Sequence, residues 1–174
     1  MRLFQTAALV LLMVSALSAA RTLDMYVIDV EGGKSLLLVS PSGESMLIDI
    51  GGNRQVDRIV EACKAAGVRK IDYMVVSHYD GDHVGGVAEL AARVPMVNFV
   101  DHGANVQLND PGYLKNVDAY MALAAKGKRI VVKAGDRIPI KGFDALVVMA
   151  AGKAIGTAAE GGGPAESRLR YHSA

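Results

Sequence analysis

Short apolar segments separated by turn residues fill the first part of this chain and most constrain its fold. Three of them occupy residues 24–30, 35–40 and 45–50, and Gly-Gly or Pro-Ser-Gly lies between consecutive segments. Runs of this length that are rich in Val, Ile and Leu favour strands, and short turns between them favour antiparallel pairing. The sequence therefore predicts an antiparallel meander over residues 24–50.

Past residue 50, amphipathic segments typical of helices alternate with further apolar runs. A first helix is predicted from Asn53, a suitable N-cap, to Gly67, with Cys63 on its apolar side. A second is predicted to run unbroken to Pro95, and a third over 111–126. Further strands are predicted at 71–76, 96–100, 129–133, 137–140 and 144–150. Strands first, followed by strands alternating with helices, indicate a layered α/β domain.

The composition limits the function classes that fit. The sequence has 174 residues, enough for a single domain with a core but short for two. Its 19 Lys and Arg residues balance 18 Asp and Glu residues, which argues against a broad nucleic-acid interface. A single cysteine excludes a disulfide framework or a multi-cysteine zinc ribbon, so any metal must be bound by histidine and carboxylate side chains.

The two ends of the chain differ from the middle. Arg2, followed by the apolar run 7–14 and small residues up to Ala20, is typical of a signal peptide cleaved after Ala20. This predicts an exported protein, secreted or periplasmic, with no membrane span after cleavage; an uncleaved N-terminal anchor is the alternative. The domain is expected over residues 21–150. Residues 151–174, rich in Ala and Gly, are predicted to form a loop or tail.

The most informative segment is His78-Tyr79-Asp80-Gly81-Asp82-His83, which follows the predicted strand 71–76. In an extended segment residues 78, 80 and 82 lie on one side, and Gly81 lets the backbone turn so that His83 converges on them. Imidazoles and carboxylates are the usual ligands of zinc and similar divalent ions. The alternative is a polar loop whose aspartates cap the next helix. We favour a metal site formed by His78, Asp80, Asp82 and His83.

Three ordered motifs give this chain a family resemblance. Leu-Ile-Asp-Ile-Gly (47–51) precedes Ser-His-Tyr-Asp-Gly-Asp-His-Val-Gly-Gly (77–86), and Asp29 to Ser35 read D-V-x-x-G-x-S. Together they resemble the metallo-β-lactamase superfamily over residues 24–100. The H-x-D-x-D-H form of the loop is most similar to the hydrolase domain of bacterial DNA-uptake competence proteins. Asp80 departs from the commoner pattern, which has histidine there.

The resemblance implies a role for each matching residue. His78 and Asp80 would belong to a first metal site, and Asp82 and His83 to a second, with Asp82 also acting on the attacking water. One or two zinc ions are implied, and the oxygen ligand Asp80 makes manganese an alternative. Asp49 would orient the ligands without binding metal, or else cap the strand-end turn.

Two further positions stay open in the sequence. His102, after the predicted strand 96–100, either binds the metal or orients its ligands, or else is a solvated loop residue, and the neighbouring Asp101 shares that ambiguity. His172 lies in the tail and is assigned no role.

The resemblance also implies an incomplete fold. The family fold is a four-layer αββα sandwich whose second half supplies further ligands, and no such residues follow position 103 except His172. The chain is therefore expected to form the N-terminal half, with a missing second half or a second copy as partner. Three functions follow: an exported metal-dependent hydrolase that acts on an ester, phosphodiester or lactone-type bond, a catalytically silent metal-binding half-domain, or a metal-free binding module.

Overall fold

A computed structural model describes residues 22–104 and 111–156 of the chain. Its centre is a six-stranded sheet in which the strands follow one another in sequence order. The strands are β1 (Asp24–Val27), β2 (Leu36–Val39), β3 (Ser45–Ile48), β4 (Ile71–Val75), β5 (Met96–Asp101) and β6 (Lys128–Val131).

The sheet is antiparallel in its first half and parallel in its second. Strands β1, β2 and β3 pair antiparallel, with Leu37 opposite both Tyr26 and Leu47, which confirms the predicted meander. Strands β3, β4, β5 and β6 then run parallel. Because parallel strands end at the same edge, the residues that follow β3, β4 and β5 are brought together there.

Helices cover one face of this sheet. They comprise a 3₁₀ turn (Asn53–Gln55) followed by α1 (Val56–Ala65), α2 (Gly81–Val84), α3 (Val87–Ala91) and α4 (Pro111–Ala124). All four α-helices contribute side chains to the larger apolar core, which also contains Leu37, Leu47 and Met74 of the sheet. Cys63 is part of this core, and burial raises the pKa of its thiol to about 11, so it is held as an unreactive thiol.

The opposite face of the sheet is only partly covered. Residues after β6 form two small hairpins, β7 (Arg137–Ile138) with β8 (Ala145–Leu146) and β9 (Met149–Ala150) with β10 (Lys153–Ala154). The first hairpin region closes a second core that includes Leu38, Tyr73 and Ile138. On the same face Met25 and Val27 of β1, which lie opposite Leu38 and Leu36 in the register, remain exposed.

The predicted unbroken second helix is wrong, because the chain breaks it at Gly85-Gly86 into α2 and α3. The amide of Gly86 donates to the carbonyl of Gly51, so this backbone is tied to the connection after β3. A Cβ at Gly86 would lie 2.8 Å from the side chains of Ile50 and Val56. Close packing against a distant segment, which helical periodicity does not report, therefore interrupts the helix.

Smaller corrections concern the ends of elements. Asn53 does not cap α1; it begins the 3₁₀ turn, and the N-cap position, Gln55, makes no side-chain capping bond. Gly67 ends the helix as predicted, with φ of 69°. The predicted strand 144–150 is two short strands, and β10 lies within the segment predicted as a tail from residue 151.

Three regions fall outside the described residues, namely 1–21, 105–110 and 157–174. The predicted signal peptide and His172 lie in them. Within the described ranges, the chain has no helix that is both long and apolar enough to cross a membrane.

Candidate metal centre

The candidate site lies at the edge of the sheet where the parallel strands end. Asp49 comes directly after β3, and Ser77 follows β4 and begins the loop that contains the four predicted ligands. Loops at this edge are the common ligand-binding positions of parallel α/β sheets. Two backbone bonds hold the parts together: the Asp49 amide donates to the Val75 carbonyl at 2.9 Å, and the Ile50 amide donates to the His83 carbonyl at 2.8 Å.

Asp49 is a fully buried carboxylate that binds the ligand loop. Its Oδ1 accepts a hydrogen bond from the Ser77 amide at 2.7 Å. Its Oδ2 accepts one from the Ser77 hydroxyl at 2.7 Å and one from Nδ1 of His83 at 2.9 Å. These three donors satisfy a charge that would otherwise be costly to bury. Asp49 therefore bonds directly to the predicted ligand His83, as expected of a residue that orients ligands.

The backbone of Asp49 is unusual as well. Its φ is 58°, in the left-handed region that non-glycine residues seldom adopt. Such strained backbone persists where surrounding contacts overdetermine it, and it clusters at functional sites. Here the three hydrogen bonds to the carboxylate supply those contacts.

The four predicted ligands lie together but as two pairs. Nε2 of His78 is 3.4 Å from Oδ2 of Asp80, and Nε2 of His83 is 3.7 Å from Oδ2 of Asp82. The two imidazole rings are neighbours, with centroids 3.8 Å apart. His83 is mostly buried, whereas the side chains of His78, Asp80 and Asp82 are 42%, 39% and 57% exposed.

These separations allow a test of whether the residues fit a metal ion. Two ligands bound at about 2.1 Å in a tetrahedral arrangement are about 3.4 Å apart, close to the separations in both pairs. Within residues 22–104 and 111–156, however, no group of three or more His, Cys, Asp or Glu side chains is arranged to hold an ion. The donor types and the two pair separations therefore fit a divalent ion, whereas the described residues do not bring three such side chains around one point.

The sequence left open that the aspartates of this loop cap the next helix instead of binding metal, and the position of Asp80 tests that alternative. Asp80 occupies the N-cap position of α2, yet its side chain makes no capping bond. Only its backbone carbonyl serves the helix, accepting from the amides of His83 and Val84 at 2.9 and 3.0 Å. The Asp80 carboxylate is therefore not a helix cap.

Gly33 brings the segment Asp29 to Ser35 onto the ligand loop. Its φ is 77°, and a Cβ there would lie 1.8 Å from the carbonyl oxygen of Asp82. Any side chain would force the two backbones apart, so this close approach requires glycine. The early motif thus contributes to the site by packing against the backbone of a predicted ligand.

Asp101 has a separate set of partners. It is fully buried and accepts two hydrogen bonds from the Arg129 guanidinium at 2.8 Å, one from the Gly103 amide at 2.8 Å and one from the Tyr120 hydroxyl at 3.1 Å. Burial would raise the pKa of the Asp101 carboxyl, but the hydrogen bonds from Arg129 and Gly103 outweigh it and hold that pKa below its ordinary value.

His102 follows Asp101 in the chain and contacts Tyr79, which lies between His78 and Asp80 in the ligand loop. The ring of His102 packs against Tyr79, with centroids 5.1 Å apart. Its Nδ1 is buried and, among the described residues, has no hydrogen-bond partner. His102 also lines a groove of about 800 Å³ together with Ser77 and Lys34. The role predicted for it, orienting the ligands, stays a prediction.

Ser77 is the residue that sequence reasoning missed. Its hydroxyl lies 2.7 Å from Oδ2 of Asp49, 3.1 Å from Nδ1 of His78 and 3.3 Å from Nδ1 of His83. The available signal was its position directly before His78 in the Ser-His-Tyr-Asp motif. Its contact with Asp49 could not be read from that motif.

Taken together, a mixed sheet with helices on one face and a His/Asp loop at its parallel edge define an α/β protein with a candidate metal site. A family model of the metallo-beta-lactamase superfamily matches residues 28–172, most of the chain. The chain therefore belongs to the metallo-β-lactamase superfamily. Members of this superfamily are metal-dependent hydrolases that typically bind zinc. The match continues beyond residue 150, where the domain was predicted to end.

Solved structures of metallo-β-lactamases are similar to part of this chain. A subclass B3 metallo-β-lactamase, MEM-A1, from a soil metagenome library shares 18% identity, covering 73% of this chain and 49% of its own, with a TM-score of 0.50. That similarity is evidence for the fold. A mutant metallo-β-lactamase from Cronobacter sakazakii shares 30% identity over 48% of this chain and 33% of its own, with a TM-score of 0.41.

The shared length is partial. The chain spans between a third and a half of the length of those two structures. No curated protein matches the chain.

Proposed function

We propose that this protein is a metal-dependent hydrolase whose ion is bound by His78, Asp80, Asp82 and His83. The observation that supports it most is the buried Asp49 carboxylate, which accepts a hydrogen bond from Nδ1 of His83 and leaves Nε2 as the coordinating nitrogen. Carboxylate–histidine pairs of this kind orient ligands in metal sites and raise their affinity. A bound divalent ion would supply Lewis acidity, lowering the pKa of water toward neutrality and polarising the bond to be cleaved.

Each residue of the loop then has a role. His78 and Asp80 form one ligand pair, and Asp82 and His83 the other. Asp82 is the most exposed of the four and lies next to His83, and it would orient the attacking water and accept its proton. Zinc is the ion that the imidazoles favour, and manganese is the alternative that the carboxylates favour.

The substrate class stays broad in this proposal. The reaction is hydrolysis of an ester, phosphodiester or lactone bond, and the nearly balanced charge argues against a long nucleic acid as the substrate. We also retain the proposal of export to the periplasm or outside the cell, from the N-terminal pattern ending at Ala20. A second half of the fold, or a second copy of the chain, would cover the exposed apolar sheet face.

One observation favours a second candidate function. Among the described residues no three potential ligands are arranged around one point, as expected for a metal-binding half-domain that does not catalyse hydrolysis. In that case the chain would bind an ion weakly and need another chain to complete the site.

Metal content separates these candidates at the first step. The full chain would be purified without added metal and its ions measured by mass spectrometry, beside His83→Ala and the control Glu61→Gln, an exposed carboxylate on α1 that pairs with Lys64. We expect about one zinc or manganese ion per chain in the parent and the control, and loss in His83→Ala. A folded but metal-free parent would contradict both metal-dependent proposals.

Turnover separates them at the second step. Metal-loaded protein would be assayed with bis-p-nitrophenyl phosphate, p-nitrophenyl esters and lactones, with Asp82→Ala and Glu61→Gln alongside. Hydrolysis that falls at least about 100-fold in Asp82→Ala would support the hydrolase. Metal binding without turnover of any of them would favour the half-domain.

A further inference from the structure

We infer that Ser77 is a positioning residue that relays the charge of Asp49 to His78, so that one buried carboxylate fixes the tautomer of both histidines. The inference rests on the proposed function, because its consequence is that both Nε2 atoms are presented to a metal ion. It concerns hydrogen-bond directions within the described residues, and those can be measured without metal.

The first step is the direction of the bonds at Asp49. The three groups that bond its carboxylate are an amide, a hydroxyl and an imidazole nitrogen. The amide can only donate, and an ionised carboxylate can only accept. Since a carboxylate accepts, the Ser77 hydroxyl and Nδ1 of His83 are the donors in their bonds to Asp49.

The second step is the direction of the bond between Ser77 and His78. A hydroxyl has one hydrogen, and that of Ser77 is used in the 2.7 Å bond to Oδ2 of Asp49. Toward Nδ1 of His78, 3.1 Å away, the same oxygen can act only as an acceptor. Nδ1 of His78 must therefore carry a hydrogen, and in the neutral ring Nε2 is left with the lone pair that binds metal.

The third step compares the two histidines. His83 donates to the carboxylate directly at 2.9 Å, whereas His78 reaches it through a neutral hydroxyl. Nδ1 of His83 also lies 3.3 Å from the Ser77 hydroxyl, but its shorter bond to Asp49 does not need that hydroxyl. Removal of the hydroxyl should therefore release His78 and leave His83 in place. This asymmetry distinguishes a relay from a general effect of Ser77 on the fold, which would disturb both rings.

The test is the tautomer of each ring in the metal-free chain. Long-range ¹H–¹⁵N spectra of the histidine-labelled full chain at pH 8, where free imidazole is neutral, report which nitrogen carries hydrogen. We expect Nδ1–H in both His78 and His83 of the parent. A parent with Nε2–H at His78 would overturn the relay directly.

Variants at Ser77 sharpen the test. Ser77→Ala should convert His78 to Nε2–H and leave His83 unchanged, while Ser77→Thr, which keeps the hydroxyl, should behave as the parent. Zinc affinity should fall about 10-fold in Ser77→Ala and be retained in Ser77→Thr. Should Ser77→Ala not fold, Ser77→Gly, which also lacks the hydroxyl, gives the same comparison.

The outcomes separate this inference from the proposed function. An unchanged His78 in Ser77→Ala, or an equal change in both histidines, would refute the relay. The expected tautomers in a chain that takes up no metal would support the relay while refuting the proposed hydrolase. Metal uptake that does not depend on the Ser77 hydroxyl would refute the relay alone.

Discussion

Asp49 and Asp101 are both fully buried and lie at corresponding ends of parallel strands, but their side chains bond to different kinds of group. Asp49 follows β3 and Asp101 ends β5, on either side of β4, and both are fully buried at the parallel edge of the sheet. Asp101 is paired with the guanidinium of Arg129, whereas Asp49 has only the serine and histidine of the ligand loop. The comparison teaches that residue type, burial and strand position do not fix a role; the facing groups do.

The partners of Asp101 come from elements unrelated to the ligand loop. Arg129 lies on β6, where it pairs with Phe99 in the register of the sheet, and Tyr120 lies on α4. They hold the last parallel strand and the last helix together around one charge. Asp49 instead accepts hydrogen bonds from Ser77 and His83, and these bonds position His83, a predicted ligand. One carboxylate thus stabilises the fold, and the other prepares a site.

The largest expected effect is on stability, from Asp101→Ala. Removing one member of a buried pair leaves Arg129 and the Gly103 amide without their acceptor, at a cost of about 3 kcal/mol in the free energy of unfolding. Urea denaturation would measure it, with Asp57→Ala, an exposed aspartate on α1, expected within about 0.5 kcal/mol of the parent. An Asp101→Ala protein as stable as the parent would remove the contrast between the two aspartates.

The next effect is on metal binding, from Asp49→Asn. Asparagine tolerates the positive φ at this position, so the backbone is retained while the charge facing His83 is lost. We expect zinc affinity to fall 10- to 100-fold, as for other residues that orient metal ligands, measured by competition with a chelator. Asp101→Asn is the matched variant, and it should bind zinc like the parent. Equal losses in both variants would show that the two aspartates act on the site alike.

The smallest expected effect is the pH dependence of the contribution that Asp101 makes to the free energy of unfolding. The folded pKa of its carboxyl is lowered relative to the unfolded value of about 3.9. Its stabilising contribution is therefore complete above about pH 4 and is lost as the pH falls through the folded pKa. The difference in unfolding free energy between the parent and Asp101→Asn should be constant from pH 5 to 7 and shrink below pH 4. A difference that grows on acidification would mean that Asp101 is protonated in the folded protein.

Much of the fold followed from local sequence. The meander was predictable because three apolar runs are separated by short turns. The end of α1 was predictable because residue 67 is a glycine, which readily adopts the positive φ found there. The broken helix at Gly85-Gly86 was not, since its cause is contact with Gly51, Ile50 and Val56, all more than 25 residues earlier in the chain. Periodicity reports the face a helix buries, not what prevents it from continuing.

The candidate site divides in the same way. His78, Asp80, Asp82 and His83 could be selected from sequence because their proximity is guaranteed by six consecutive residues. Ser77 could not be assigned a role, and Asp49 could not be separated from a turn cap. Their contact spans 28 positions, and that of Asp49 with His83 spans 34.

The sequence by itself determined the order of strands and helices, the family resemblance and the chemistry of the ligand loop. Those features depend on neighbouring residues, whose distances are set by covalent geometry and local periodicity. Only the tertiary structure decided that Asp49 serves the ligand loop while Asp101 serves the fold. The reason is that parallel pairing of β3, β4, β5 and β6 brings residues far apart in sequence to one edge, and a buried carboxylate takes its role from the donors placed there.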